Sequence, residues 1–135
     1  MLLDKVKKYY KTEYDFNCSE TIMYAANEEY NLQLDKNTLK AMAGFGGGMA
    51  VEGMCGVITG GIAVIGIMFT KERAHESDYI KELTKEYVEG FKEICKEVDC
   101  APLKELYRTE EIRCAYMIEN GAILLDEIIK REMNN

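Results

Sequence analysis

The sequence predicts an all-α fold, an irregular bundle of about five to six helices around a central glycine-rich apolar helix. Three observations predict it. Apolar residues recur at helical spacing in several segments, and no run alternates in the way a half-buried strand does. The chain has one proline, Pro102, and is rich in the helix formers Lys, Glu, Leu, Ala and Met. Residues 44–70 hold nine of the eleven glycines, with Glu52 as their only charge. The first half of that stretch is too rich in glycine for a stable helix, and the second half is apolar on every side and should be buried.

In chain order, Leu2, Leu3, Val6, Tyr9 and Tyr10 predict a first helix from residue 2 to about 14. Asp15-Phe16-Asn17 breaks it, and Asn17 with Glu20 three residues later forms a capping-box pattern for a helix from Cys18 to about Tyr30. On that helix Cys18, Ile22, Ala25 and Ala26 share the inward face. Thr38 is placed to cap a short helix through Ala43. The glycine-rich turn follows, then the apolar helix over about 54–69. Residues 78–98 carry the clearest amphipathic stripe: Ile80, Leu83, Tyr87, Phe91, Ile94 and Val98. Pro102 suits the first turn of a short helix to about Tyr107. Thr109-Glu110-Glu111 predicts the start of the last helix, with Ala115, Ile118, Ala122, Leu125 and Ile129 as its buried stripe.

A chain of 135 residues predicts one domain, 1–135. The net charge of −7 argues against nucleic acid as a partner, since phosphate binding needs a basic surface. Residues 53–70 form an uncharged run at the lower edge of a membrane span, but four internal glycines and the absence of a second such run favour a buried core helix. The N-terminus has charges from residue 4 and no apolar segment, so a cytoplasmic location without membrane insertion is expected. There, five cysteines are expected to be reactive or ligating rather than paired in structural disulfides.

Four of those cysteines share a placement. Cys18, Cys55, Cys100 and Cys114 each fall at or near a predicted helix N-terminus, where free backbone N–H groups and the helix dipole favour a thiolate. Cys95 falls in the last turn of its helix, where the dipole opposes one.

The chain resembles the C_GCAxxG_C_C family of redox-active proteins over nearly its whole length. The matching parts are Asn17-Cys18-Ser19-Glu20, the run from Gly44 to Met49, Cys55-Gly56-Val57-Ile58-Thr59-Gly60-Gly61, Cys100 before Pro102-Leu103, and Cys114. The family name asks for Gly-Cys-Ala where this chain has Met54-Cys55-Gly56; aligned as Cys-Gly-Ala-x-x-Gly, only Val57 departs. The resemblance implies that Cys18, Cys55, Cys100 and Cys114 are the family cysteines and that Cys95 is an extra.

Three chemistries fit four converging thiols. The first is thiol–disulfide exchange, with Cys55 as attacker because the bare glycine backbone around it allows close approach. The second is an iron–sulfur cluster or zinc ligated by Cys18, Cys55, Cys100 and Cys114. Spacings of 37, 45 and 14 residues, without a CxxC pair, make that signal weak. The third is haem or another cofactor held against the glycine-rich surface, with Gly47, Gly48, Gly56 and Gly60 as its contacts. His75, the only histidine, reads as a solvated loop residue. Glu52 reads either as an exposed loop residue or as a proton acceptor for a thiol. Gly56-x-x-x-Gly60 offers a smooth face, for a helix of the same chain or for a homodimer. A redox function implies a redox partner protein. The competing reading is a non-catalytic helical accessory module with inert, packed cysteines.

Overall fold

The computed structural model describes all 135 residues. It is an all-α bundle of seven helices without strands. They are α1 (Leu2–Tyr9), α2 (Cys18–Glu29), α3 (Lys36–Lys40), α4 (Gly56–Phe69), α5 (Tyr79–Cys95), α6 (Cys100–Tyr107) and α7 (Ala115–Met133). Helix α4 packs against α2, α5 and α7, and α1 packs against α2 and α7. No helix is long and apolar enough to cross a membrane.

Helix α2 starts as its capping box dictates. The Asn17 side chain accepts from the Glu20 amide, and the Glu20 carboxylate accepts from the Asn17 amide. Its face meets α4 at two glycines. A Cβ on Gly60 would stand 3.0 Å from the Ser19 carbonyl oxygen, and one on Gly56 would stand 3.2 Å from the Cys18 Cβ. The Gly56-x-x-x-Gly60 face is therefore filled within the chain by α2, and is not a seam left open for a second copy.

Several boundaries differ from the sequence pattern, each for a visible reason. Helix α1 stops at Tyr9 because the chain turns back to stack Tyr14 and Phe16 with Tyr9 and Tyr24. Asp35, rather than Thr38, caps α3, its carboxylate accepting from the Thr38 amide at 2.8 Å. Helix α5 ends at Cys95 because Lys96 takes a left-handed conformation, φ 75°. Helix α7 starts at Ala115, since Thr109 pairs with Arg113, whose φ is 52°.

The glycine-rich segment forms a tight reversal. Gly47 and Gly48 have φ of 63° and 61°, and Met49, Ala50 and Glu52 are left-handed as well. Gly48 is buried, and a Cβ there would strike the backbone of Gly53 and approach the Cys100 Cβ. The reversal lays residues 53–55 antiparallel to 98–100. The Cys55 amide donates to the Val98 carbonyl at 2.8 Å, and the Cys100 amide donates to the Gly53 carbonyl at 2.6 Å. This pairing delays the start of α4 to Gly56 and fixes two cysteines beside each other in the backbone.

Candidate functional site

The helix starts carry the cysteines. Cys18 and Cys100 are the first residues of α2 and α6, while Cys55 and Cys114 are the N-cap residues of α4 and α7. All four line one cavity of about 170 Å³. Cys95 does not; it is fully buried at the end of α5, where its carbonyl accepts from the Tyr107 hydroxyl at 2.9 Å. All five thiols are free.

The four cavity thiols are not alike. Burial pushes Cys55 up to about 12, although the Val57 and Ile58 amides act in the other direction. Burial also raises Cys100. Cys114 alone is lowered, to about 6. The cause is its partners: the neighbouring Cys18 thiol first, and then Arg108, whose Nη1 donates to the sulfur at 2.9 Å. Giving up its proton in that contact would cost Cys18, whose acidity is correspondingly far weaker than that of an ordinary thiol. Cys55, expected as attacker because of the bare backbone around it, is thus not the acidic thiol of the cavity. Each of the four cysteines sits at a helix N-terminus, and only the one that accepts directly from a guanidinium becomes acidic.

Tyr10 completes the setting of Cys114. Its hydroxyl accepts from the Cys114 amide at 3.1 Å, and its ring stacks under the Arg113 guanidinium at 4.0 Å. Arg113 in turn donates to the Tyr10 carbonyl. The loop that carries Cys114 is thus clamped to the end of α1.

The glycines divide. Gly47 and Gly56 line the cavity, whereas Gly48 and Gly60 are packing positions, against Cys100 and against Ser19. Glu52 is exposed and pairs with Lys104 at 3.6 Å, so it stands as a surface partner of a cation. His75 is exposed in a charged turn remote from the cavity lining. No three Cys, His, Asp or Glu side chains are disposed to hold a metal ion.

The matching family model is described as "Putative redox-active protein (C_GCAxxG_C_C)" and covers residues 16–128. The chain belongs to this family. No curated protein and no solved structure matches it.

The span matched to the C_GCAxxG_C_C family contains every cavity cysteine together with Lys104 and Arg108, and leaves out Tyr10. Sequence reasoning missed Lys104, Arg108 and Tyr10. For the first two a signal existed: Cys100, Lys104 and Arg108 step by four residues and so share one face of α6 and its cap. For Tyr10 none did, since its role depends on the docking of α1 against the start of α7.

Proposed function

We propose that this C_GCAxxG_C_C protein is a dithiol redox protein in which Cys114 attacks and Cys18 resolves. One observation carries the reading: the Cys114 sulfur accepts a hydrogen bond from Arg108 at 2.9 Å and shares its cavity with the Cys18 thiol. The first supplies a thiolate at neutral pH. The second supplies a neighbouring sulfur to complete a disulfide.

The Cys114 thiolate attacks one sulfur of a substrate disulfide, whose S–S bond breaks and whose other half leaves as a thiolate. Cys18 loses its proton to that thiolate, and its sulfur then attacks the Cys114 sulfur. The second half of the substrate leaves, and a Cys18–Cys114 disulfide remains. Two electrons have passed to the substrate. An external dithiol, carried by a redox partner protein, reverses the step. A reducing compartment such as the cytoplasm suits this cycle. In the same reading Cys55 and Cys100 stay protonated, since both are raised. The dispositions that a metal centre would need are missing among these thiols, which favours plain dithiol chemistry over a ligated cluster.

The test is alkylation of the reduced protein across pH, with each site read by mass spectrometry. Cys114 should react first, with a midpoint of about 6. A Cys114 that stays silent until the protein unfolds would sink the proposal.

A further inference from the structure

The cavity is charged in a way the rest of the molecule is not. The chain carries a net charge of −7, yet no Asp or Glu lines the cavity, and two cations, Lys104 and Arg108, do. Arg108 is exposed, and its single side-chain hydrogen bond goes to the Cys114 sulfur. A guanidinium has five N–H donors, so most of its fork is free. It pairs with no carboxylate of its own chain, unlike Arg131, which grips Glu86 through two nitrogens. Lys104, half-buried, has one partner, the exposed Glu52. Phe16, Leu103 and Met117 supply apolar wall to the same cavity.

Size narrows the guest. A cavity of about 170 Å³ is close to the roughly 150 Å³ that accommodates a benzene-sized molecule. Six or so heavy atoms fit. A sulfur, two methylenes and a carboxylate make six.

We infer that the cavity admits one arm of a small disulfide bearing a carboxylate a few bonds from its sulfur, the carboxylate held by Arg108 and Lys104 and the sulfur facing Cys114. The inference rests on the dithiol reading above and names its substrate class. The free edge of the Arg108 fork matches a planar carboxylate, while its bonded edge stays on the Cys114 sulfur. One side chain thus marks both the nucleophile and the end of the substrate. The S–S bond of the guest breaks as Cys114 attacks. The outer arm leaves as a thiolate and takes the Cys18 proton, and the attack of Cys18 on the Cys114 sulfur then releases the inner, carboxylate-bearing arm. The dithiol is oxidised by two electrons and the disulfide is reduced to two thiols.

Three disulfides of similar size test this: 3,3′-dithiodipropionate, which is anionic, 2-hydroxyethyl disulfide, which is neutral, and cystamine, which is cationic. The rate of oxidation of the reduced protein is measured with each and divided by the rate with free 2-mercaptoethanol, which removes intrinsic reactivity. The anionic disulfide should lead the neutral one by about tenfold, with the cationic one slowest. The lead should shrink in about 0.5 M salt. K104Q should cut the anionic-to-neutral ratio about threefold. E52Q, which releases Lys104, should raise it. Equal normalised rates for all three disulfides, or a ratio that K104Q does not move, would overturn the carboxylate site and leave the dithiol reading standing. No oxidation by any of them would overturn both.

Discussion

Arg108 and Cys114 are six residues apart in the chain, and the guanidinium reaches back across the intervening loop to place Nη1 2.9 Å from the sulfur. The loop therefore carries both a nucleophile and the cation that ionises it. Removing the cation should separate the two. R108M is expected to move the alkylation midpoint of Cys114 up from about 6 toward the ordinary thiol value near 8.5. Near pH 6 the rate should fall on the order of tenfold. An unchanged midpoint would assign the acidity to Cys18 and the helix terminus instead.

Cys18 should act twice, as hydrogen-bond donor and as resolving thiol. C18A removes both roles. After treatment with one equivalent of a small disulfide, the variant should retain the adduct on Cys114, seen as added mass on the intact protein. The native protein should lose that mass and gain a Cys18–Cys114 linkage in a peptide map. Retention of the adduct by the native protein as well would assign resolution elsewhere.

The thiols also predict a stability profile with a definite sign. Cys114 is lowered to about 6 in the folded chain, whereas an unfolded thiol titrates near 8.5. Its contribution is complete above the unfolded value and is lost as pH falls through the folded value. Cys55 is raised to about 12, so folding holds its proton, and that contribution fades as pH climbs from about 8.5 upward. Stability should therefore peak near pH 8 to 9. Urea denaturation at pH 6 and pH 8.5 should show a gain on the order of 2 kcal/mol in the native protein, and a much smaller one in C114S. An equal gain in both would trace the slope to other groups.

Two glycines on α4 should answer alanine in opposite directions. At Gly60 a Cβ would lie 3.0 and 3.1 Å from the Ser19 backbone, which cannot step aside without moving α2. G60A should cost about 1–3 kcal/mol. At Gly66 no heavy atom lies within 4 Å of a Cβ, so G66A should gain about 0.5–1 kcal/mol from helix propensity alone. Thermal or urea unfolding measures both.

Two of the helix starts that bear cysteines, those of α2 and α6, were legible because they rest on local signals. Asn17 and Glu20 cap each other within one turn, and Pro102 falls in the first turn of α6. The amphipathic stripe of α5 likewise marks its core face, with Leu83, Tyr87 and Phe91 buried. What the sequence concealed was set by contacts between distant segments. The start of α4 is decided by a two-bond pairing between residues 45 positions apart, Cys55 and Cys100, and their neighbours. Thr109 does cap the Ile112 amide as its position suggests, but the left-handed Arg113 then interrupts the helix. The choice of acidic thiol was hidden for the same reason. A helix N-terminus is visible in sequence, whereas burial of Cys55 and the reach of Arg108 are properties of the packed chain.

The cavity draws its wall from α2, from the start of α4, from α6 and from the start of α7, so it has no existence until the last of these docks. On a growing chain this gives a timetable. Cys18, Cys55, Cys95 and Cys100 all leave the ribosome before Cys114 and Arg113, the residues that lock the corner onto Tyr10. For that interval the thiols lack their enclosure, and any pairing among them is decided by chance encounter rather than by architecture. Acidic character at Cys114 accordingly waits on the seating of Cys18 and Arg108 beside it, and the low-pH reactivity of that one thiol reports that this corner has closed.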